Sequence, residues 1–234
     1  MSTEFRNRRL FTLLFSLISL IIIILTNTPS QIKTFTGSKE ENLINEASYL
    51  VIDVLKKIPI KGRAPKTNYS REEFGNGWMK INGCDMRNII LNRDLNEVVV
   101  DINCNVTSGI LDDPYTGKTI AFIRGSNTSD DIQIDHVVSL SDAWQKGAQQ
   151  LSKEKRIELA NDPLELLAVD GRANQQKGDG DAATWLPSNK SFRCQYVSRQ
   201  VAVKYKYDLW ITQSEYDAIE RILDKCPGQL LPKP

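Results

Sequence analysis

An α+β fold is predicted for this chain, with a ββα unit at its centre, and three observations predict it. Val98, Val100, Ile102, Cys104 and Val106 alternate with polar neighbours, the two-residue period of a strand, and residues 119–124 and 133–140 read as two more. A short apolar run at 164–170 lies between an Asn-Asp-Pro and an Asp-Gly turn signal, and the polar segment 172–177 after it opens a short helix. Apolar residues at helical spacing fill both ends of the chain.

The elements follow in order. Arg6, Arg8 and Arg9 precede the mostly apolar run 10–25, the pattern of a secretory signal. The run falls slightly short of the roughly 20 residues that span a bilayer, and no Ala-x-Ala site follows. Residues 1–30 are therefore a cleaved signal peptide or a retained anchor. In either case the remainder is exported, as a secreted protein or one held on the outer membrane face. Residues 31–68 read as a linker and an amphipathic helix over 39–57, opened by a Ser38-to-Glu41 capping box and closed at Pro59. Residues 69–234 read as one domain. Within it, 86–92 suits either helix or strand. The strands at 97–106 and 119–124 are expected to pair antiparallel across the Pro114–Gly117 turn. Helices are expected at 152–160 with Ser152 as N-cap, at 189–207, and at 212–225 behind a Thr212-to-Glu215 capping box.

The formal charge of +1 includes the leader. Removing Arg6, Arg8, Arg9 and Glu4 leaves 27 basic against 28 acidic residues. The near-neutral balance thus argues against a tail-like nucleic-acid binder working through bulk charge. A local patch is compatible: Arg172, Lys177, Lys190, Arg193, Arg199, Lys204 and Lys206 face only Asp179 and Asp181, with tyrosines interleaved. It reads as a solvated helix face or as a phosphate-tracking surface.

His136 is the only histidine, and it follows Asp135 inside an apolar run. Burying a charge beside an imidazole costs free energy unless a metal or a hydrogen-bonded site compensates; the plain alternative is a satisfied core histidine. One histidine excludes an H-E-x-x-H metalloprotease, and no phosphate-binding glycine loop or Gly-x-Ser-x-Gly elbow occurs. Two carboxylates leave a glycoside hydrolase open. Cys84, Cys104, Cys194 and Cys226 contain no C-x-x-C pair, which argues against a zinc knuckle. In an exported chain they are expected as disulfides. Of three connectivities, proximity and the strand pattern favour Cys84–Cys104 and Cys194–Cys226.

The strings IDHVVSLSDAW from Ile134, ANDPLELLAVDGRANQQKGD from Ala160 and TWLP from Thr184 resemble the HNH endonucleases. More narrowly they resemble secreted HNH proteins related to the C-terminal nuclease domain of the GmrSD restriction enzyme. The likeness runs from Tyr69 through 83–88 and 113–117 to Cys226. It implies a ββα-metal core with a small antiparallel sheet and flanking helices, hydrolysing phosphodiester bonds of DNA or RNA with little sequence preference. It implies a divalent cation, Mg²⁺ or Mn²⁺, and no small-molecule cofactor. His136 takes the general-base position, Asp135 and Asn174 the metal positions, and Lys177 a phosphate contact. Arg124 is either a cation for the transition state or a strand-end surface charge. One departure stands out: the central Asn of the family falls near Glu165, with Asn161 a few residues earlier, so one of these two is expected to brace the histidine. A non-catalytic exported binding protein on the same fold is the alternative.

Overall fold

In the computed structural model the described residues are 49–125 and 130–232. The expected leader and most of the expected helix at 39–57 lie outside them. Among the described residues, seven strands form three small antiparallel sheets and seven α-helices surround them.

The chain enters through Tyr49 and Leu50, which are extended: Leu50 bridges Leu230, and Leu231 N donates to Tyr49 O. Helix α1 (Val51–Leu55) is therefore one short turn, and the expected helix does not continue back through Leu50. Val51, Val54, Leu55 and Ile58 nevertheless sit in the larger apolar cluster, against the C-terminal helices.

Strands β1 (Lys80–Ile81) and β2 (Cys84–Asp85) form a hairpin across Asn82-Gly83, both at positive φ, as a two-residue turn of this kind requires. Asp85 then caps α2 (Met86–Asp94) by accepting from Asn88 N at 2.8 Å, which settles that segment as helix.

The strand expected over 97–106 is two strands. β3 (Asn96–Val100) and β4 (Val106–Asp112) pair antiparallel, and β4 pairs in turn with β5 (Thr119–Ile123). The break has a local cause. Asp101 Oδ1 accepts from the backbone N–H groups of Asn103 and Asn105, folding 101–105 into a turn, and Cys104 takes φ +64°. Alternation continued through the turn by coincidence. Cys104 is bonded to Cys84, tying this turn to the β1–β2 hairpin.

Strands β6 (Ile132–His136) and β7 (Leu166–Asp170) make the central pair, with Ile134 opposite Ala168 and His136 opposite Leu166. Apolar clusters lie on both faces. Ile132, Ile134, Leu166 and Ala168 join α2, β4 and β5 in one, while Leu167 and Val169 join the other with the C-terminal helices. Burial on both faces explains the near-continuous apolar run of β7. β6 ends at His136 rather than at 140, because Leu140 already starts α3 (Leu140–Gln145). Ser152 caps α4 (Lys153–Ala160), and Asp170 caps α5 (Gly171–Lys177) through Ala173 N at 2.7 Å. β6, β7 and α5 thus form the ββα unit.

The helix expected from 189 starts later. Asn189 caps a 3₁₀ turn (Lys190–Phe192), and α6 (Arg193–Lys206) follows. Thr212 caps α7 (Gln213–Leu223). Cys194 at the start of α6 is bonded to Cys226 beyond α7. Between these helices lies a buried ionic network. The ammonium groups of Lys146 and Lys204, both without solvent exposure, share Glu215 at 2.6 and 2.5 Å and Asp142 at 2.8 and 3.2 Å.

Candidate active site

Asp135 and His136 are neighbours on β6, so their side chains leave opposite faces of the strand. Helix α5 lies over the face that carries Gln133 and Asp135. Two α5 residues three apart meet two strand residues two apart: Asn174 Nδ2 donates to Gln133 Oε1 at 2.9 Å, and Lys177 Nζ to Asp135 Oδ1 at 2.9 Å. The same ammonium donates to the His136 carbonyl at 2.8 Å. Asp135 Oδ2 accepts a short hydrogen bond from the Tyr115 hydroxyl. Tyr115 reaches it from the Asp-Pro-Tyr-Thr-Gly turn between β4 and β5, where Asp113 Oδ2 accepts from Thr116 N and Gly117 takes φ +75°. Burial pushes the Asp135 carboxyl above its ordinary pKa, opposed by the Lys177 charge and the hydrogen bonds from Tyr115 and Lys177.

On the opposite face, His136 Nε2 lies 3.0 Å from the Ala160 carbonyl. A carbonyl only accepts, so Nε2 carries the hydrogen and Nδ1 holds the lone pair. The imidazole stacks on Trp78, with centroids 5.8 Å apart and planes 6° from parallel. Burial first, then the Arg71 charge, lowers its pKa to about 3. His136 is therefore neutral at physiological pH.

Around the end of β6 opens a polar cleft of about 390 Å³. Asp135, His136, Asn174, Gln133, Arg71 and Arg87 are among its walls, and a smaller pocket of about 120 Å³ shares Arg71, Trp78 and His136 with it. Among the described residues, no group of three or more His, Cys, Asp or Glu side chains is placed to hold a metal. Asp135 and Asn174 supply two oxygen donors to the cleft. The Asn174 amide nitrogen is committed to Gln133, which leaves its oxygen available as an acceptor.

Several expected roles need correction. Lys177 is 3% exposed and spent on Asp135 and the His136 carbonyl, so it presents no free ammonium to a phosphate. Arg124 does not line the cleft. Its Nε donates to Val106 O at 2.7 Å and its Nη2 to Asn88 Oδ1, which clamps β4 to α2. Glu165 and Asn161, the two residues expected to offer one brace for the histidine, each hold backbone around it. Glu165, fully buried, accepts from Val138 N at 3.2 Å and through its own carbonyl from Val137 N, directly after the histidine. Asn161 accepts from Met79 N at 2.8 Å and so holds the Trp78 wall. The expected basic surface is largely absorbed by internal contacts. Lys204 sits in the buried network, Lys206 pairs with Asp162 at 2.6 Å, Arg193 bonds Pro187 O, and Arg199 bonds the carbonyls of Pro163 and Leu164. Sequence reasoning missed Tyr115, Trp78, Gln133, Arg71 and Arg87 as site residues. All but Gln133 lie in stretches whose likeness to the HNH family was visible, but none carries a local mark of its role.

Residues 86–222 match the family model described as the C-terminal domain of GmrSD restriction endonucleases. The chain belongs to that family, a class of nuclease-type domains. A fungal relative from Arthroderma benhamiae, described as an uncharacterized secreted protein, is 36% identical over 176 residues, covering 74% of this chain and 83% of the relative. No solved structure matches.

Proposed function

We propose that this chain is an exported, divalent-cation-dependent endonuclease of the HNH type, with β6, β7 and α5 as its ββα-metal core. It cuts phosphodiester bonds of DNA or RNA with little sequence preference. The observation that carries this reading is the convergence of a neutral, tautomer-fixed His136 with Asp135 and Asn174 on one polar cleft, in a chain of a restriction-endonuclease family.

Hydrolysis of a phosphodiester requires a base for the attacking water, and a neutral imidazole is suited to it. His136 holds the lone pair on Nδ1, while Ala160 anchors the other nitrogen. Its depressed pKa makes it a weak base in the free protein; an anionic phosphate in the cleft raises it toward the working range. Glu165 fixes the loop that follows the histidine, and Trp78 fixes the plane of its ring. Two protein oxygens with remaining positions left to water suit Mg²⁺ or Mn²⁺, and Asp135 and Asn174 would hold the ion. When bound, such a cation stabilises charge growing on the phosphoryl oxygens. Lys177 and Tyr115 orient Asp135 and favour its ionised form against the effect of burial.

Export is supported by the leader pattern, by two disulfides of the kind that persist outside the cytosol, and by the description of the fungal relative as secreted. Among the described residues no helix is long and apolar enough to cross a membrane. The division into leader (1–30), linker with N-terminal helix (31–68) and nuclease domain (69–234) belongs to this proposal.

The test is incubation of the full chain, purified from culture medium, with plasmid DNA and with RNA in Mg²⁺ or Mn²⁺, with and without EDTA. Metal-dependent cleavage, lost by roughly 10²–10⁴-fold in His136→Ala, is expected. No cleavage of either polymer in any divalent metal overturns the reading.

A further inference from the structure

We propose that Arg71 is the residue that takes the phosphate of the polynucleotide in this cleft, a role that neither Lys177 nor Arg124 is free to play. The proposal rests on the nuclease reading for the identity of the ligand. Three independent observations carry it.

The first is position. Arg71 and His136 both line the main cleft and the smaller pocket beside it. The two side chains are close enough for the guanidinium charge to be the largest electrostatic influence on the imidazole after burial.

The second is availability. Each other cation of the site is already engaged. Lys177 neutralises Asp135, Arg124 clamps Val106 and Asn88, and Arg87 donates to Ile132 O at 3.2 Å. Arg71 is exposed and, among the described residues, has neither an ion-pair partner nor a hydrogen-bond acceptor. A guanidinium with its fork of donors open to a polar cleft matches two phosphate oxygens.

The third is rigidity. Arg71 opens a 3₁₀ turn (Arg71–Phe74) that is fastened to the body on both sides. Arg156 of α4 donates to Glu73 O at 2.9 Å and pairs with its carboxylate at 2.7 Å. Phe74, Tyr69 and Trp144 form a triad of edge-to-face rings with centroids 6.1–6.4 Å apart. The backbone that carries Arg71 is thus held by α4, whose last residue, Ala160, anchors His136. The cation and the base share one support, which is what a preorganised phosphate site needs.

The experiment compares wild type, Arg71→Ala, Arg71→Lys and Arg124→Ala as full chains. Two quantities are read: steady-state cleavage of an oligonucleotide duplex in Mg²⁺, and binding of the same duplex in EDTA as a function of NaCl concentration. For Arg71→Ala we expect unchanged melting, a loss of kcat/KM of roughly 10²-fold, and a slope of log K against log salt smaller by about 0.9, the signature of one lost phosphate contact. Arg71→Lys should restore the slope and part of the rate, since it keeps the charge and loses the fork. Arg124→Ala should lower the melting temperature and leave the slope alone. A folded Arg71→Ala protein with wild-type slope and wild-type kcat/KM overturns the assignment. A wild type that binds the duplex with an Arg71-dependent slope but never cuts it removes the nuclease reading and leaves the phosphate site standing. A wild type that neither binds nor cuts polynucleotide overturns both.

Discussion

Replacing Lys177 by Met isolates what the buried ion pair does, because the stem is kept and only the charge and its donors are lost. In the native fold the Lys177 side chain has no exposure and that of Asp135 has 6%, with Nζ 2.9 Å from Oδ1. Removing one partner of a buried pair typically costs about 3–5 kcal/mol, because the other charge is stranded. Asp135 has one escape, which is to take up a proton. Measured against an unfolded carboxyl of ordinary pKa, about 3.9, protonation costs about 4 kcal/mol at pH 7 and about 1.5 kcal/mol at pH 5, at about 1.4 kcal/mol per unit. The folded variant then holds a proton that its unfolded state has released, so the penalty grows as pH rises. For a domain of this size, about 4 kcal/mol corresponds to a fall in Tm on the order of 8–16 °C at pH 7, shrinking by more than half at pH 5. The assay is thermal and urea unfolding of Lys177→Met at the two pH values. Adding Asp135→Asn should recover most of the loss, since no charge is left to strand. A variant that melts within about 2 °C of wild type at both pH values, and differs only in nucleic-acid binding, refutes the ion-pair reasoning and returns Lys177 to the role of a phosphate contact.

Burial holds His136 at about 3 in the folded protein, against an ordinary value of about 6.5. Below pH 6.5 the unfolded chain gains a proton that the folded chain refuses, so stability is complete above that pH and drains as pH falls toward 3. His136→Gln should flatten the dependence of the urea midpoint on pH in this window, and parallel curves for the two proteins would contradict it. Burial also pushes the Glu165 carboxyl well above its ordinary range, which favours its neutral form. Glu165→Gln should therefore stay within about 1 kcal/mol of wild type, whereas Glu165→Ala strands the Val138 N–H at a cost of about 1–3 kcal/mol; equal losses in calorimetric stability for the two variants would sink the argument. Asp135→Asn and Asn174→Ala should each weaken Mg²⁺ or Mn²⁺ binding by titration calorimetry, with cleavage partly restored by excess metal. Unchanged affinity in both variants would end their assignment as ligands.

What the sequence by itself determined were the features with local causes. Ser152 and Thr212 cap their helices because a side-chain oxygen meets an N–H three residues on. β5 and β7 read correctly because their apolar runs are bounded by turn residues. The His-Asp pair and Asn174 were visible as a constellation, since the ββα unit that holds them is nearly contiguous. The same local logic misread 97–106, where an Asx turn at Asp101 broke an alternation that continued through it. Only the tertiary structure decided which charges are spent and which are free. Lys177, Arg124, Arg199 and Arg71 are equivalent cations in the string. Three of their fates depend on groups 18 to 42 positions away, Asp135 for Lys177, Val106 for Arg124 and Leu164 for Arg199, while Arg71 faces the His136 cleft with no partner among the described residues. A charge buried beside a counter-ion and a charge left facing a cleft differ by their surroundings alone. Those surroundings are assembled by long-range packing of β6, α4 and α5, which no window of sequence contains.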